Sequence, residues 1–166
     1  RVSVLASRIA RQMGLSESDV HGIRLAGLVH DIGKVTVPTE FLTRPGALRP
    51  AELDLIMEHA KIGEELLSSI DFPWPIASIV GQHHERMDGS GYPRGLAGDE
   101  ILVPSRIMAV ADVVEAMSRF RPYRESLGQA RAIEEIRSNR GTLFDVDVVD
   151  ACLTVLESGF AFEGTT

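Results

Sequence analysis

Apolar residues recur along this chain at the three- and four-residue spacing of helix faces. The segment from Val2 to Ala10 has that periodicity with no cap in front of it, which predicts a helix whose natural start lies upstream; Gly14 stops it. Ser16, with Asp19 three residues on, predicts an N-cap. The helix it opens carries Ile23, Ala26, Leu28 and Val29 and is expected to run to Gly33. Val35 to Gly46 is punctuated by Pro38, Pro45 and Gly46 and reads as irregular. Pro50 suits a first helical position, and Leu53, Ile56, Met57, Ala60 and Leu67 mark one face of the helix that follows. Pro73 and Pro75 break the chain before Ile76, Ile79 and Val80 begin another helix. Glu85 to Gly98 holds Gly89, Gly91, Gly95, Gly98 and Pro93, a long structured loop of the kind that carries function in compact domains. A strongly apolar helix is expected from about Pro104 to Met117, then two amphipathic ones, Gln129–Ser138 and Asp145–Glu157. Strand signals are few. The expectation is an all-α bundle, one domain over residues 1–160 with a short tail over 161–166.

The polar residues that interrupt the apolar stripes are chemically selective. His30 and Asp31 follow Leu25-Ala26-Gly27-Leu28-Val29. His59 lies on the next long helix, His83 and His84 stand at a helix end before the glycine-rich loop, and Asp112 sits inside Ile107-Met108-Ala109-Val110-Ala111 and Val113-Val114. Singly, each has an ordinary explanation: a salt-bridged or surface carboxylate, a satisfied core histidine. Together they place imidazole and carboxylate, without thiolate, on four helices whose apolar stripes must converge. That donor set suits Fe, Mn, Ni or Zn in mixed N/O sites. Six ligands exceed one tetrahedral centre and suffice for two ions sharing a bridging carboxylate, an arrangement that hydrolyses phosphate esters. Lys34, three residues after Asp31, is a clamp for a phosphoryl oxygen or a lysine complementing a helix dipole; spacing alone leaves both open. Tyr92 is placed to stack on a ligand or to pack beneath its loop. Arg121 and Arg124 offer guanidiniums to phosphate or a guanine edge, or stand in a solvated turn. His21 falls in a polar cap region, apart from the set.

Composition narrows the function classes. The 166 residues carry 17 basic and 24 acidic side chains, a formal net charge of −7, which argues against DNA and anionic membranes as partners. The single cysteine, Cys152, excludes any CxxC metal or redox motif and reads as a small core residue. Apolar runs of about five residues fall far short of the ~20 needed to span a bilayer, and no signal-peptide pattern appears, so a cytoplasmic location is expected.

His30-Asp31-Ile32-Gly33-Lys34, followed by His83-His84-Glu85-Arg86-Met87-Asp88-Gly89-Ser90-Gly91-Tyr92-Pro93, the later Ala111-Asp112 and Arg121-Pro122-Tyr123-Arg124, resembles the HD-GYP family, a branch of the HD superfamily of metal-dependent phosphohydrolases. The resemblance extends from the first helix to about Leu156. It implies a helical bundle around a multinuclear metal centre, with iron or manganese foremost and nickel, zinc or magnesium as alternatives. It implies phosphodiesterase activity on cyclic di-GMP, giving pGpG and in some members GMP. It assigns His30, Asp31, His59, His83, His84 and Asp112 as metal ligands, Asp31 and Lys34 as catalytic groups, and Tyr92, Arg121 and Arg124 to the substrate. In the family the first helix often supplies further ligands just before an Arg-Val pair; Arg1-Val2 is that pair here, which leaves two ions or three open. The resemblance also implies an N-terminal receiver or sensor domain. Beside it, the Gly91-Tyr92-Pro93 loop is a candidate protein-partner surface alongside catalysis. Two alternatives stand beside the cyclic di-GMP reading: another cyclic dinucleotide such as 3′,3′-cyclic GMP-AMP, and a signalling module that binds nucleotide or protein without catalysis.

Overall fold

The computed structural model describes residues 1–44, 46–118 and 128–162. It is all-α: helices α1 (Val2–Gln12), α2 (Glu17–Val29), α3 (Thr39–Thr43), α4 (Pro50–Met57), α5 (His59–Leu67), α6 (Ile76–Gln82), α7 (Val103–Ser118), α8 (Gln129–Ser138) and α9 (Val146–Glu157), with 3-10 turns at Ile32–Thr36 and Gly98–Glu100. Among the described residues strand pairing is limited to isolated bridges, Asp88–Ala97 and Arg140–Phe144. None of their helices is long and apolar enough to cross a membrane. Arg121 and Arg124 lie outside the described residues.

The core forms where the apolar stripes meet. α1 packs against α2, α7 and α9, and its Leu5, Ala6, Ile9 and Ala10 are fully buried. α7 contributes Ile107, Met108, Val110, Ala111 and Val114, equally buried. Cys152 lies in this core, where burial raises its thiol to about 12. The cap expected at Ser16 forms: Ser16 Oγ accepts from Asp19 N at 3.1 Å. Asp145, expected inside the last helix, is instead its N-cap, where Oδ1 accepts from Asp147 N and Val148 N at 2.9 and 3.2 Å. Arg106 joins the end of the glycine-rich loop to the start of α9 by donating to Ile101 O, Asp99 Oδ1 and Asp145 Oδ2 at 2.9, 3.0 and 2.9 Å.

Four boundaries differ from expectation. α2 stops at Val29, and the chain tightens into the 3-10 turn from Ile32, so Gly33 does not terminate α2. The helix marked by Leu53 to Leu67 is interrupted at Glu58 into α4 and α5. The irregular stretch from Val35 contains the short α3. Phe162, placed in the tail, is buried in the core cluster, with the Arg1 guanidinium 4.5 Å above its ring. The first two changes have a common cause, which becomes visible at the histidines.

Candidate metal centre

His30, His59 and His83 each stand where a helix ends or breaks: at the C-cap of α2, just after the Glu58 interruption, and at the C-cap of α6. The last turn of a helix leaves carbonyls without an N–H partner. In all three places the imidazole takes the carbonyl three residues back. His30 Nδ1 lies 2.9 Å from Gly27 O, His59 Nδ1 2.6 Å from Ile56 O, and His83 Nδ1 2.5 Å from Val80 O. A carbonyl only accepts, so Nδ1 carries the proton and Nε2 is left with its lone pair. This is the outer support that orients metal-binding histidines.

The three Nε2 atoms converge. His59 Nε2 and His83 Nε2 face one another at 3.4 Å. His30 Nε2 lies 3.5 Å from Asp31 Oδ2 and 3.8 Å from Asp112 Oδ1, and His59 Nε2 lies 3.5 Å from Asp31 Oδ1. His84 joins them, its ring centroid 4.0 Å from that of His83 and 5.0 Å from that of His59. His59, His83 and His84 each offer a donor atom within 4.8 Å of the other two. All six histidine and aspartate ligands expected from sequence are therefore brought together, and His21 is held apart against Trp74.

These separations are too long for good hydrogen bonds, whose mode is about 2.9 Å. They suit donors around a shared ion, since bonds of about 2.1 Å put neighbouring ligands roughly 3.0–3.4 Å apart. Two lone pairs face to face between His59 and His83 repel unless a cation lies between them. Protonation is no remedy: burial, together with neighbouring positive charge from His30 and His59, holds His83 down at about 3. Burial holds His59 and His84 below the ordinary histidine range as well. At Asp112 burial raises the carboxyl and the neighbouring Asp31 adds to it, against the pull of His30 and Lys34. Burial raises Asp31 too, but His30, Lys34 and His59 outweigh it and leave that carboxyl below its usual range. Imidazoles at His59, His83 and His84 held neutral by burial, with two converging carboxylates, one of them costly to ionise, make a donor set that fits divalent ions.

Lys34 lies in the 3-10 turn that follows α2. In a 3-10 turn residues three apart eclipse, so Lys34 Nζ stands over Asp31 and donates to Oδ2 at 2.7 Å. Gly33 allows the turn to lie on α5: a Cβ there would meet His59 O at 2.0 Å and Gly63 N at 2.8 Å. The buried ends of the cluster are His59 and His83, and the open end is Asp31 and Lys34. That end gives onto a cleft of about 470 Å³ whose walls include Arg1, Leu28, Lys34, Asp112 and Glu115.

Tyr92 lies flat on His84, centroids 4.7 Å apart and planes 26° apart. Its loop folds back over the end of α6, and Tyr92 N donates to His84 O at 3.3 Å. Only glycine fits at position 91, where a Cβ would come within 2.4 Å of Arg86 N and Glu85 Cα. The sequence reading missed Glu85, which is 2% exposed and clasps this loop. Its Oε1 accepts from Arg94 N at 2.8 Å and its Oε2 from Leu96 N at 2.9 Å. An acid directly after two ligand histidines and before a glycine-rich run was the available signal. It also missed Glu115, one turn after Asp112 on the same helix and bonded by Arg1; the three-residue spacing from Asp112 was its signal.

A helical bundle with this donor set is the architecture of the HD-domain family. The HD domain matches residues 1–148, and the chain belongs to that family, within it to the HD-GYP branch. It is 44% identical over 155 residues to the cyclic di-GMP phosphodiesterase response regulator RpfG of Xanthomonas campestris, an alignment covering 92% of this chain and 41% of RpfG. It is 40% identical over 145 residues to the 3′3′-cGAMP-specific phosphodiesterase 3 of Vibrio cholerae, covering 87% of this chain and 32% of that protein. The chain thus spans well under half the length of either relative. In fold it resembles Bd1817, an HDG"Y"P protein from Bdellovibrio bacteriovorus, with a TM-score of 0.76 at 21% identity over 94% of this chain and 50% of that one.

Proposed function

We propose that this chain is the catalytic domain of a metal-dependent phosphodiesterase that opens cyclic di-GMP to pGpG. The observation that carries the reading is the convergence of three carbonyl-locked histidines and two carboxylates, with His30, Asp31 and Asp112 opening onto one cleft, in a chain whose relative RpfG is named for this reaction. His30, Asp31, His59, His83, His84 and Asp112 would hold two divalent ions, or three if a further residue added ligands. Iron or manganese suits this nitrogen and oxygen set. Bound there, the ions supply Lewis acidity and lower the pKa of water.

The chain's own groups do the rest. The two oxygens of Asp31 face different histidines, so this carboxylate joins the His30–Asp112 half of the site to the His59–His83–His84 half. Lys34 keeps Asp31 ionised and turned inward, and presents an ammonium to a non-bridging phosphoryl oxygen at the cleft. Water attacks phosphorus in line with the departing 3′-oxygen. That oxygen leaves protonated, and the opened ring carries a 5′-phosphate. Tyr92 fixes His84 and shapes the mouth, and Arg121 and Arg124 hold the dinucleotide. By analogy with RpfG, named a response regulator, a receiver or sensor domain precedes this one. The Gly91-Tyr92-Pro93 loop at the cluster's edge serves as a partner surface alongside catalysis.

The test is cyclic di-GMP turnover by protein loaded with Mn(II) or anaerobic Fe(II), with pGpG resolved by chromatography. Asp31→Ala should lose both metal and turnover; hydrolysis by that variant with metal confirmed absent would sink the mechanism. The 40% identity to a 3′3′-cGAMP-specific enzyme favours a second reading, in which the mixed dinucleotide is the substrate. Turnover of that compound alone would establish it.

A further inference from the structure

The cleft that opens from the metal centre changes character one turn along α7. At one end stand His30, Asp31, Lys34 and Asp112; at the other stand Arg1 and Glu115, beside the apolar side chains of Val2 and Leu28. Glu115 is a carboxylate with only 8% of its side chain exposed, and Arg1 Nε meets its Oε1 at 3.1 Å. The Arg1 guanidinium is fixed from a second side by the Phe162 ring, 4.5 Å from its centroid. An isolated buried ion pair is a weak source of stability, because desolvation offsets its attraction. This pair instead shows the cleft a rigid donor beside an acceptor, since a guanidinium keeps further N–H groups when Nε is bonded and a carboxylate keeps further lone pairs.

We propose that the Arg1–Glu115 pair reads the guanine base of the dinucleotide. The proposal rests on the reading of the cleft as a cyclic-dinucleotide site and adds what selects the base. Guanine presents an acceptor at O6 and adjacent donors at N1–H and the exocyclic amine. Arg1 donates to the first and Glu115 accepts from the other two. Adenine reverses the first two groups: its amine meets the guanidinium, and its N1 lone pair meets the carboxylate. A site built to bond one pattern rejects the other because its buried polar groups are left unpaired. The apolar wall at Val2 and Leu28 takes the flat face of the base while the metal end takes the phosphate.

The test measures kcat/KM for cyclic di-GMP, cyclic di-AMP and bis(p-nitrophenyl) phosphate, a phosphodiester without a base, on wild type, Glu115→Gln and Arg1→Lys loaded with Mn(II). Glu115→Gln exchanges one acceptor for a donor, and Arg1→Lys keeps the charge but loses the planar fork. Each should lower the cyclic di-GMP to cyclic di-AMP ratio by about tenfold to hundredfold, and the cyclic di-GMP to bis(p-nitrophenyl) phosphate ratio likewise. An equal fall on all three substrates means the pair only braces α1 against α7 and overturns the proposal. So does an unchanged ratio while cyclic di-GMP is still hydrolysed, which leaves the phosphodiesterase reading intact. Wild type that cleaves the base-free ester but no cyclic dinucleotide overturns both. Should Glu115→Gln fold poorly, Arg1→Lys decides by the same ratios.

Discussion

Gly33 is the residue through which backbone packing sets the spacing of the metal ligands, and Gly33→Ala tests this. A Cβ at that position would lie 2.0 Å from His59 O, 2.8 Å from Gly63 N and 2.9 Å from His59 C. These are backbone atoms of α5, which no rotamer change can move. Restoring ordinary contact, about 3.4 Å or more, requires the 3-10 turn to back away from α5 by more than an ångström. Asp31 Oδ1 now stands 3.5 Å from His59 Nε2, and the same shift would carry it out of range of an ion held by His59. Overpacking of this kind costs about 1–3 kcal/mol, and a 1 Å misplacement costs roughly a hundredfold in rate. The assay pairs metal content by elemental analysis with thermal melting and turnover. Ile136→Val is the control: a buried α8 residue whose truncation costs about 1 kcal/mol and belongs to no part of the site. Gly33→Ala should lose metal and about a hundredfold in turnover, while Ile136→Val melts lower yet keeps both. Wild-type metal content and rate in Gly33→Ala would refute the idea that this contact sets the ligand spacing.

Two further expectations follow from buried groups. Glu85→Gln turns one of the two acceptors that hold Arg94 N and Leu96 N into a donor facing an N–H, at a cost of about 1–3 kcal/mol; hydrogen exchange should show the Arg94 and Leu96 amides losing protection before the α7 core does, and unchanged protection would rule out the clasp. In the metal-free protein His83 is held at about 3 by burial, so below its ordinary value near 6.5 the unfolded chain binds a proton the folded one refuses. Stability should then fall as pH drops from about 6.5 toward 3, by up to ~1.4 kcal/mol per pH unit for that one proton. His59 and His84 act in the same sense, while Asp112, with its raised carboxyl, acts in the opposite one. Urea unfolding of His83→Gln across this range should be measurably flatter than wild type.

What sequence could reach here depended on whether the signal was local. Ser16 was legible as a cap because a cap is a contact between residues two or three apart. The all-α class and the convergence of the six histidine and aspartate side chains were also legible, since apolar periodicity says which face of each helix turns inward and those residues lie beside those faces. The extents of α2 and of the Pro50–Leu67 segment were misjudged for one reason. Periodicity counts helical residues, but at His30 and His59 an imidazole takes the carbonyl of the preceding turn and the helix ends or breaks there. Gly33 was read as a stop signal when its requirement is a close approach to α5, a contact with residues 26 or more positions away. Spacing alone left Lys34 open between two roles, and the 3-10 turn is what sets its Nζ over Asp31.

The same imidazole–carbonyl contact links fold to chemistry. A neutral histidine in water exchanges its proton between two nitrogens and turns freely about its side-chain bonds. At His30, His59 and His83 the helix end removes both freedoms, because the carbonyl three residues back fixes the proton on Nδ1 and the ring plane with it. Three lone pairs are thereby aimed before any ion arrives, and the orientational entropy of these ligands is lost during folding rather than during metal binding. The breaks that defeated helix counting are the features that make the ligand set rigid. Extending α5 smoothly through Glu58 would set a helical N–H in competition with His59 Nδ1 for Ile56 O and loosen the hold that keeps that ring facing Asp31.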